Sequence, residues 1–529
     1  ASLSILKLAD EGKLSLNDPI RKLVPDVWFR NRWESIDPVR VVNLLEHTTG
    51  WDDLHFRDYA IDAKGMDLRT ALDYGRRSRV SRWRPGTRMA YCNTGPAVAA
   101  YIVERVTGLR FEDYVQRNFF DPIGMKTATY FTPPAADAVT LYQNDGKTPF
   151  PYWNIIYRPA GAINASAKDM AAYVQFYLNR GTANGATVIP AADIDRMESP
   201  VSTWAARDGL KDGYGLSNYW SIADGFVYHG HNGGVNGGLT EMNYLPQDGV
   251  GYFFSINSGN GDAFNKISKA IRGYVTAKLQ RPAVPAAAPL PLEAAQYAGW
   301  YEPDAPRVKL THFIDRLAGL SHIGFRSDRM TIAGVSGAAN FVPVGGRFFR
   351  YLPKDGPPEP VSSAVLITPN SDGMFIQAGN VFKRIPAWFA FAEIALTAFV
   401  LLAIVSIVLY APVWMVGGFI RRRRRPAERA MRIYPLIAVA ALAALVIVMI
   451  LSASDMITRL GNFTAWSAAV WLCTIVFALA TLMSVWSAWR PKAETRRSVR
   501  WYTSTVAVAL LIALLYLAYW GVIGLRTWG

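Results

Sequence analysis

Three short stretches hold side chains whose types and spacing suit covalent chemistry. Ser4-Ile5-Leu6-Lys7 has the Ser-x-x-Lys spacing of a hydroxyl nucleophile and its amine. Tyr91-Cys92-Asn93 sets a phenol two positions from a carboxamide, and His231-Asn232-Gly233 sets an imidazole at the head of a glycine-rich run. An unperturbed tyrosine titrates near pKa ~10 and is a poor base at neutral pH, so Tyr91 needs a nearby cation that lowers its pKa. His229 and His231 alternate on one strand face and in principle could hold a metal, but no companion carboxylates stand at metal spacing. The two cysteines, Cys92 and Cys473, have no zinc-ligand spacing and no disulfide framework. No metal and no cofactor is expected.

The elements that must carry these residues read as helices first and strands last. Asp37 to Glu46, Gly95 to Thr107, Phe111 to Phe119 and Lys168 to Gly181 are expected helices; Val98, Ile102, Val103 and Val106 keep helical spacing in the second. Leu3, Leu6 and Ala9 keep it too, up to a stop at Gly12, so Ser4 and Lys7 lie on a helix whose head is not visible. "FVYHGHNGGVNGGLTEMNYLPQDGVGYFFSIN" reads as strands joined by Gly-rich turns. The expected fold is α+β, an antiparallel sheet with a helical region over residues 1–280. A Pro/Ala-rich linker follows at 281–293 and a small β-rich domain at 294–385.

The last part of the chain has a different composition. Four apolar stretches, about Ala387 to Ile420, Tyr434 to Ala453, Thr464 to Ala488 and Tyr502 to Ile523, reach the roughly 20 residues a helix needs to cross a bilayer, so 387–523 is expected to be a four-helix transmembrane region. Pro412 is expected to kink or end the first. The net charge of +15 suggests nucleic acid, but its densest runs, "RRRRRPAERAMR" and "WRPKAETRRSVRW", flank the apolar stretches. Membrane orientation accounts for them, and no nucleic-acid partner is expected. Under the positive-inside rule both runs are cytoplasmic, and everything before Ala387 is extracytoplasmic. The arginine run also suits anionic lipid. Apart from Glu393 near one end, the spans lack ionisable residues, which argues against a transporter and for an anchor.

Six blocks in order, "GKLSLNDPIRKLVPD", "VVNLLEHTTGWDD", "RPGTRMAYCNTG", "VTGLRFEDYVQRNFFDPIGM", "PAGAINASAKDM" and "GHNGGVNGG", resemble the class C β-lactamase-like serine hydrolases, a group that includes penicillin-binding DD-peptidases, D-aminopeptidases and esterases. The likeness covers about Ala1 to Ala270. It implies a β-lactamase/transpeptidase-like fold and an acyl-serine mechanism on a D-amino-acid peptide, a β-lactam or an ester. By resemblance, Tyr91 shuttles the serine proton, Asn93 binds the substrate amide, and His231 stands where a lysine is more familiar. Gly233 admits the substrate, and the Gly234 N–H is one oxyanion donor. His47, in "HTTG", is structural, and His229 is an ordinary packed histidine.

The resemblance also separates Ser4 from the nucleophile. The family's lysine lies much further ahead of the glycine that Gly12 matches than the five positions of Lys7. The true Ser and Lys are expected upstream of Ala1, with the first strands and a signal peptide, and the chain by itself is expected to be inactive. The alternative is a catalytically silent module that binds cell-wall peptide and reports to the membrane bundle. The expected partners are a small-molecule or peptide substrate and membrane lipid.

Overall fold

The computed structural model describes the chain apart from residues 370–372, 421–425 and 492, so Arg421–Arg425 of the first basic loop lie outside the described residues. It forms two compact units, Ala1–Lys309 with Ala318–Arg384, and Leu310–Leu317 with Ile385–Gly529.

In the first unit, α1 (Ser2–Asp10) packs on α2 (Thr94–Thr107). Ala97, Val98, Ala99, Ala100, Ile102 and Val103 of α2 are fully buried, which makes this helix the axis of the largest core. Its start is tight: a Cβ on Gly95 would stand 2.3 Å from the Leu44 carbonyl oxygen. Its end is a left-handed Gly108 (φ 71°), whose N–H closes on the Glu104 carbonyl. α3 (Ala167–Leu178) starts at a Ser166 cap that accepts from the Asp169 N–H.

The strands β1 (Tyr219–Ala223), β2 (Phe226–Val235), β3 (Gly238–Leu245) and β4 (Val250–Ile256) form an antiparallel sheet in chain order. Alternation in β4 divides its faces: Tyr252 and Phe254 pack with Phe264 and Ile271 of α4 (Gly261–Val275), whereas Phe253 joins the main core beside Met242 and Tyr244. The expected helices and strands are present, the one expected over Asp37 to Glu46 shortened to Val41–Leu45, and the fold is α+β. The stretch expected as one helix from Phe111 continues, after Val115, as a π-helical turn over Gln116–Phe120.

The small β-rich region is a closed eight-stranded barrel running from Gly299–Pro303 to Asn380–Ile385. In the strand Ala364–Ile367 all four residues are buried. Ala364 and Leu366 fill the barrel, while Val365 and Ile367 pack outward on Ala205, Leu210 and Trp204 of the hydrolase-like region. A continuous apolar run is what a strand covered on both faces requires. The Pro/Ala linker is held along the barrel, since Arg350 donates to the Pro285 carbonyl at 2.6 Å and the Ala288 N–H donates to the Pro343 carbonyl at 2.9 Å.

The second unit holds four helices long and apolar enough to cross a membrane: Ala387–Ile420, Pro426–Ser452, Ala465–Trp489 and Arg497–Tyr519. The first runs through Pro412 without ending. Their mutual contacts use Ala438, Phe477, Ala480, Val506 and Leu510, while Leu402, Leu409 and Val413 face outward. Buried Thr474 and Thr503 return their hydroxyls to the Trp471 and Val499 carbonyls, both at 2.7 Å. Glu393 pairs with Arg316 at 2.8 Å, from the short segment Leu310–Leu317 that belongs to this unit. The chain is a multi-pass membrane protein.

Candidate active site

Tyr91 lies in the loop that leads into α2 and is fixed through its neighbours. The Cys92 N–H donates to His47 Nδ1 at 3.2 Å, and the Ala90 N–H donates to the His47 carbonyl at 2.9 Å. His47 takes a left-handed backbone (φ 53°) to present both acceptors. Its ring lies 4.1 Å from that of Tyr91, centroid to centroid, and burial pushes its pKa down to about 3, so it is neutral. His47 thus holds the loop, as the sequence suggests.

Asn93, in the next position but one, is turned by a buried carboxylate. Its backbone N–H and its side-chain Nδ2 both donate to Asp53 Oδ1, at 2.9 and 3.0 Å, and Nδ2 also donates to the Tyr59 hydroxyl at 2.8 Å. With Nδ2 committed, the amide oxygen is the end left to accept a substrate N–H.

His231 sits on β2 beyond the last pair that β2 makes with β1, Tyr219 with Gly230. From His231 to Val235 the strand pairs only with β3, so one edge is open along Asn232, Gly233 and Gly234, all exposed. The His231 ring is 6.1 Å from that of Tyr91, and its Nε2 is hydrogen-bonded to the Tyr214 hydroxyl at 2.8 Å. Tyr214 in turn stands 4.6 Å from His47 and 6.0 Å from Tyr91, so His47, Tyr91, Tyr214, Tyr219 and His231 line one aromatic recess. Burial lowers the His231 pKa below the ordinary histidine value. It pushes the Tyr91 phenol up to about 12, against the pull of the Arg307 guanidinium.

The structure therefore brings Tyr91, Asn93, His231, Gly233 and Gly234 into one region. Gly233 and Gly234 pair opposite Thr240 and Leu239, and a Cβ on Gly233 would meet Thr240 Oγ1 at 2.7 Å. Ser4 and Lys7 make no nucleophile pair. The Ser4 hydroxyl is buried without a hydrogen-bond partner, and Lys7 Nζ donates to the Val188 carbonyl at 3.4 Å. His229 packs between Trp220 and Tyr244. Among the described residues no three His, Cys, Asp or Glu side chains converge as metal ligands would.

Sequence reasoning missed Asp53, Tyr59, Tyr214, Tyr219 and Arg307. "GWDD" is in one of the matched blocks and could have flagged Asp53. Arg307 had no signal, because it joins Asp53 across 254 positions of chain.

Comparison with known proteins gives one family. The family model described as Beta-lactamase matches residues 1–275. A penicillin-binding protein 4 of Amycolatopsis lactamdurans is 26% identical over 316 residues, which are 56% of this chain and 80% of that protein. A putative D-alanyl-D-alanine carboxypeptidase of Salmonella paratyphi A is 24% identical over 210 residues, 34% of this chain, and the chain spans about half, 48%, of that relative. Among solved structures, the octameric penicillin-binding protein homologue from Pyrococcus abyssi overlays with a TM-score of 0.43 at 19% identity, covering 72% of this chain and 85% of the other.

Proposed function

Because the chain belongs to the beta-lactamase family, we propose that it is the greater part of a membrane-anchored, extracytoplasmic serine hydrolase acting on D-amino-acid peptides. The observation that carries this reading is the pairing of Tyr91 and His231, rings 6.1 Å apart, beside an open strand edge at Asn232 to Gly234. An extended peptide laid on that edge adds a strand and places its carbonyl between the two rings. The relatives named as a penicillin-binding protein and a D-alanyl-D-alanine carboxypeptidase favour a D-alanyl peptide over an ester.

In this reading the serine and lysine precede Ala1. The serine oxygen attacks the substrate carbonyl, forming the acyl-serine bond as the C–N bond breaks. Tyr91 takes the serine proton and passes it to the leaving amine, and water then releases the acid by the same route. The upstream ammonium adds to Arg307 in bringing the Tyr91 pKa down toward a base's range. The basic loops lie in the cytoplasm and the hydrolase region outside.

The test is release of D-alanine from N-acetyl-D-alanyl-D-alanine by the natural membrane protein and its Tyr91→Phe variant. Turnover that falls by about 10²–10⁴ in the variant supports the assignment. Binding of the dipeptide without turnover by the natural protein would leave a silent recognition module instead.

A further inference from the structure

The barrel has no chemistry legible in its sequence, yet it delivers a side chain to the candidate site. After the strand Gly299–Pro303, the chain is pinned at successive points. Asp304 pairs with Arg88, three positions before Tyr91, and its N–H donates to the Val381 carbonyl at 2.9 Å. The Asp53 N–H donates to the Arg307 carbonyl at 3.3 Å, and the Lys309 N–H donates to Asp52 Oδ1 at 2.8 Å. Between these anchors Arg307 lays its guanidinium over the Tyr91 ring, 4.6 Å from the centroid. Its Nε and Nη2 donate to Asp53 Oδ2 at 2.8 and 2.7 Å.

This arginine is more than a clamp in its geometry. Its side chain is 55% exposed, whereas that of Asp53 is 2% exposed. A guanidinium has five N–H donors, and the Asp53 contact uses the edge of Nε and Nη2, so the Nη1 donors of this half-exposed side chain are not engaged by Asp53. Asp53 divides its charge among Arg307, the two Asn93 donors and the Leu54 N–H, so the pair does not cancel Arg307 at its free edge. The strand itself supplies no cation, since burial keeps His231 neutral. Among the described residues Arg307 is the only cation in ring contact with the recess of His47, Tyr91, Tyr214, Tyr219 and His231.

We infer that Arg307 is a specificity-determining residue that receives a carboxylate of the substrate through its free edge, and that the barrel region is thereby part of the binding site. The inference rests on the proposed peptide-binding reading of this site. It gives the barrel a role that neither its sequence nor its fold suggests: it carries the fork that reads an anion, a geometry a histidine on the strand cannot offer.

The experiment is calorimetric titration of this chain in detergent with N-acetyl-D-alanyl-D-alanine and with its C-terminal carboxamide. The unmodified chain is expected to prefer the acid by about tenfold or more, the size of one hydrogen bond to a charged group. Arg307→Met should bring the two within about twofold by lowering acid binding more than carboxamide binding, which a merely structural loss would not do. Arg307→Lys keeps the charge without the planar fork, and should keep a reduced preference. If Arg307→Met does not fold, the lysine variant decides alone. An unmodified chain without preference, or either variant with the full preference, overturns the inference. Hydrolysis is measured separately on the natural protein: a binding preference that depends on Arg307 without turnover upholds this inference and removes the hydrolase reading.

Discussion

Asp53 and Asn93 are joined three times: the Asn93 N–H donates to Asp53 Oδ1 at 2.9 Å, and its Nδ2 donates to Oδ1 at 3.0 Å and to Oδ2 at 3.1 Å. A buried carboxylate therefore sets which end of the Asn93 amide is left free. The same carboxylate receives Arg307, so one side chain organises two arms of the site. Asp53→Ala frees the amide to rotate and leaves Arg307 unpaired. We expect a loss of about 2 kcal/mol in thermal or denaturant unfolding. In the natural protein, kcat/KM for the acetylated dipeptide should fall about 10²-fold. Unchanged kcat/KM would show that Asn93 is not oriented from Asp53.

The pH dependence of turnover follows from His231. Burial lowers its pKa, so the imidazole is neutral at pH 7 and gains a proton only below the ordinary histidine range. Its contribution is present above that lowered pKa and lost as pH falls through it. The acid limb of kcat/KM attributable to His231, defined as the limb that His231→Gln abolishes, should thus have its midpoint below pH ~6.5. A midpoint at or above that value would contradict the placement of the ring in the recess.

Asp212 should make stability depend on pH. It lines a cavity of about 290 Å³ with Glu359, Phe341 and Tyr351, and burial, with the Glu359 charge, raises its pKa to about 7. The folded state therefore binds a proton more tightly than the unfolded state, whose aspartate titrates near ~3.9. Stability from this group is full below about pH 4 and falls as pH rises toward 7. Asp212→Asn should raise the melting temperature at pH 8 and flatten its slope between pH 4 and 7. A variant that melts lower at pH 8 would contradict this.

Gly95, directly after the Asn93–Thr94 pair, leaves no room for a methyl group against the Leu44 carbonyl. Gly95→Ala should cost about 1–3 kcal/mol by forcing α2 away from its neighbour. Because α2 begins at Thr94, directly after Asn93, the same change should reduce dipeptide binding. Wild-type stability in the variant would mean the helix start is loosely held.

The proposed orientation predicts labelling from opposite sides of the membrane. A cysteine at Asn462, in the weakly charged loop, should react with a membrane-impermeant maleimide in intact cells. One at Glu494, in a basic loop, should react only after permeabilisation. The reverse pattern would place the hydrolase region inside the cell.

Much of this was legible in the sequence because local patterns decided it. The alternation of β4, the glycines around β2 and the apolar spans each stabilise one local structure over its rivals. The expectation of Tyr91, Asn93 and His231 as site residues came from the order of the surrounding blocks. The contact of Arg307 with Tyr91 was not legible: nothing in "PDAPRVKL" marks it, and it follows from where the segment after Pro303 packs. The π-helical turn at Gln116 was equally hidden, since its apolar spacing reads as an ordinary helix. The helix His312–Gly319 was missed for a different reason, as it is short and lies inside a stretch of strands. Pro412 was expected to kink or end the first span, and the helix does not end there but continues past it.

The most direct test of the account is the intact mass of the natural protein after exposure to a β-lactam or a D-alanyl thioester, with the adduct mapped by peptide sequencing. The account predicts an acyl adduct on a serine of a Ser-x-x-Lys ahead of Ala1. Its formation should slow in Tyr91→Phe and be unaffected by Ser4→Ala. An adduct on Ser4, or no adduct from either acyl donor, would contradict it.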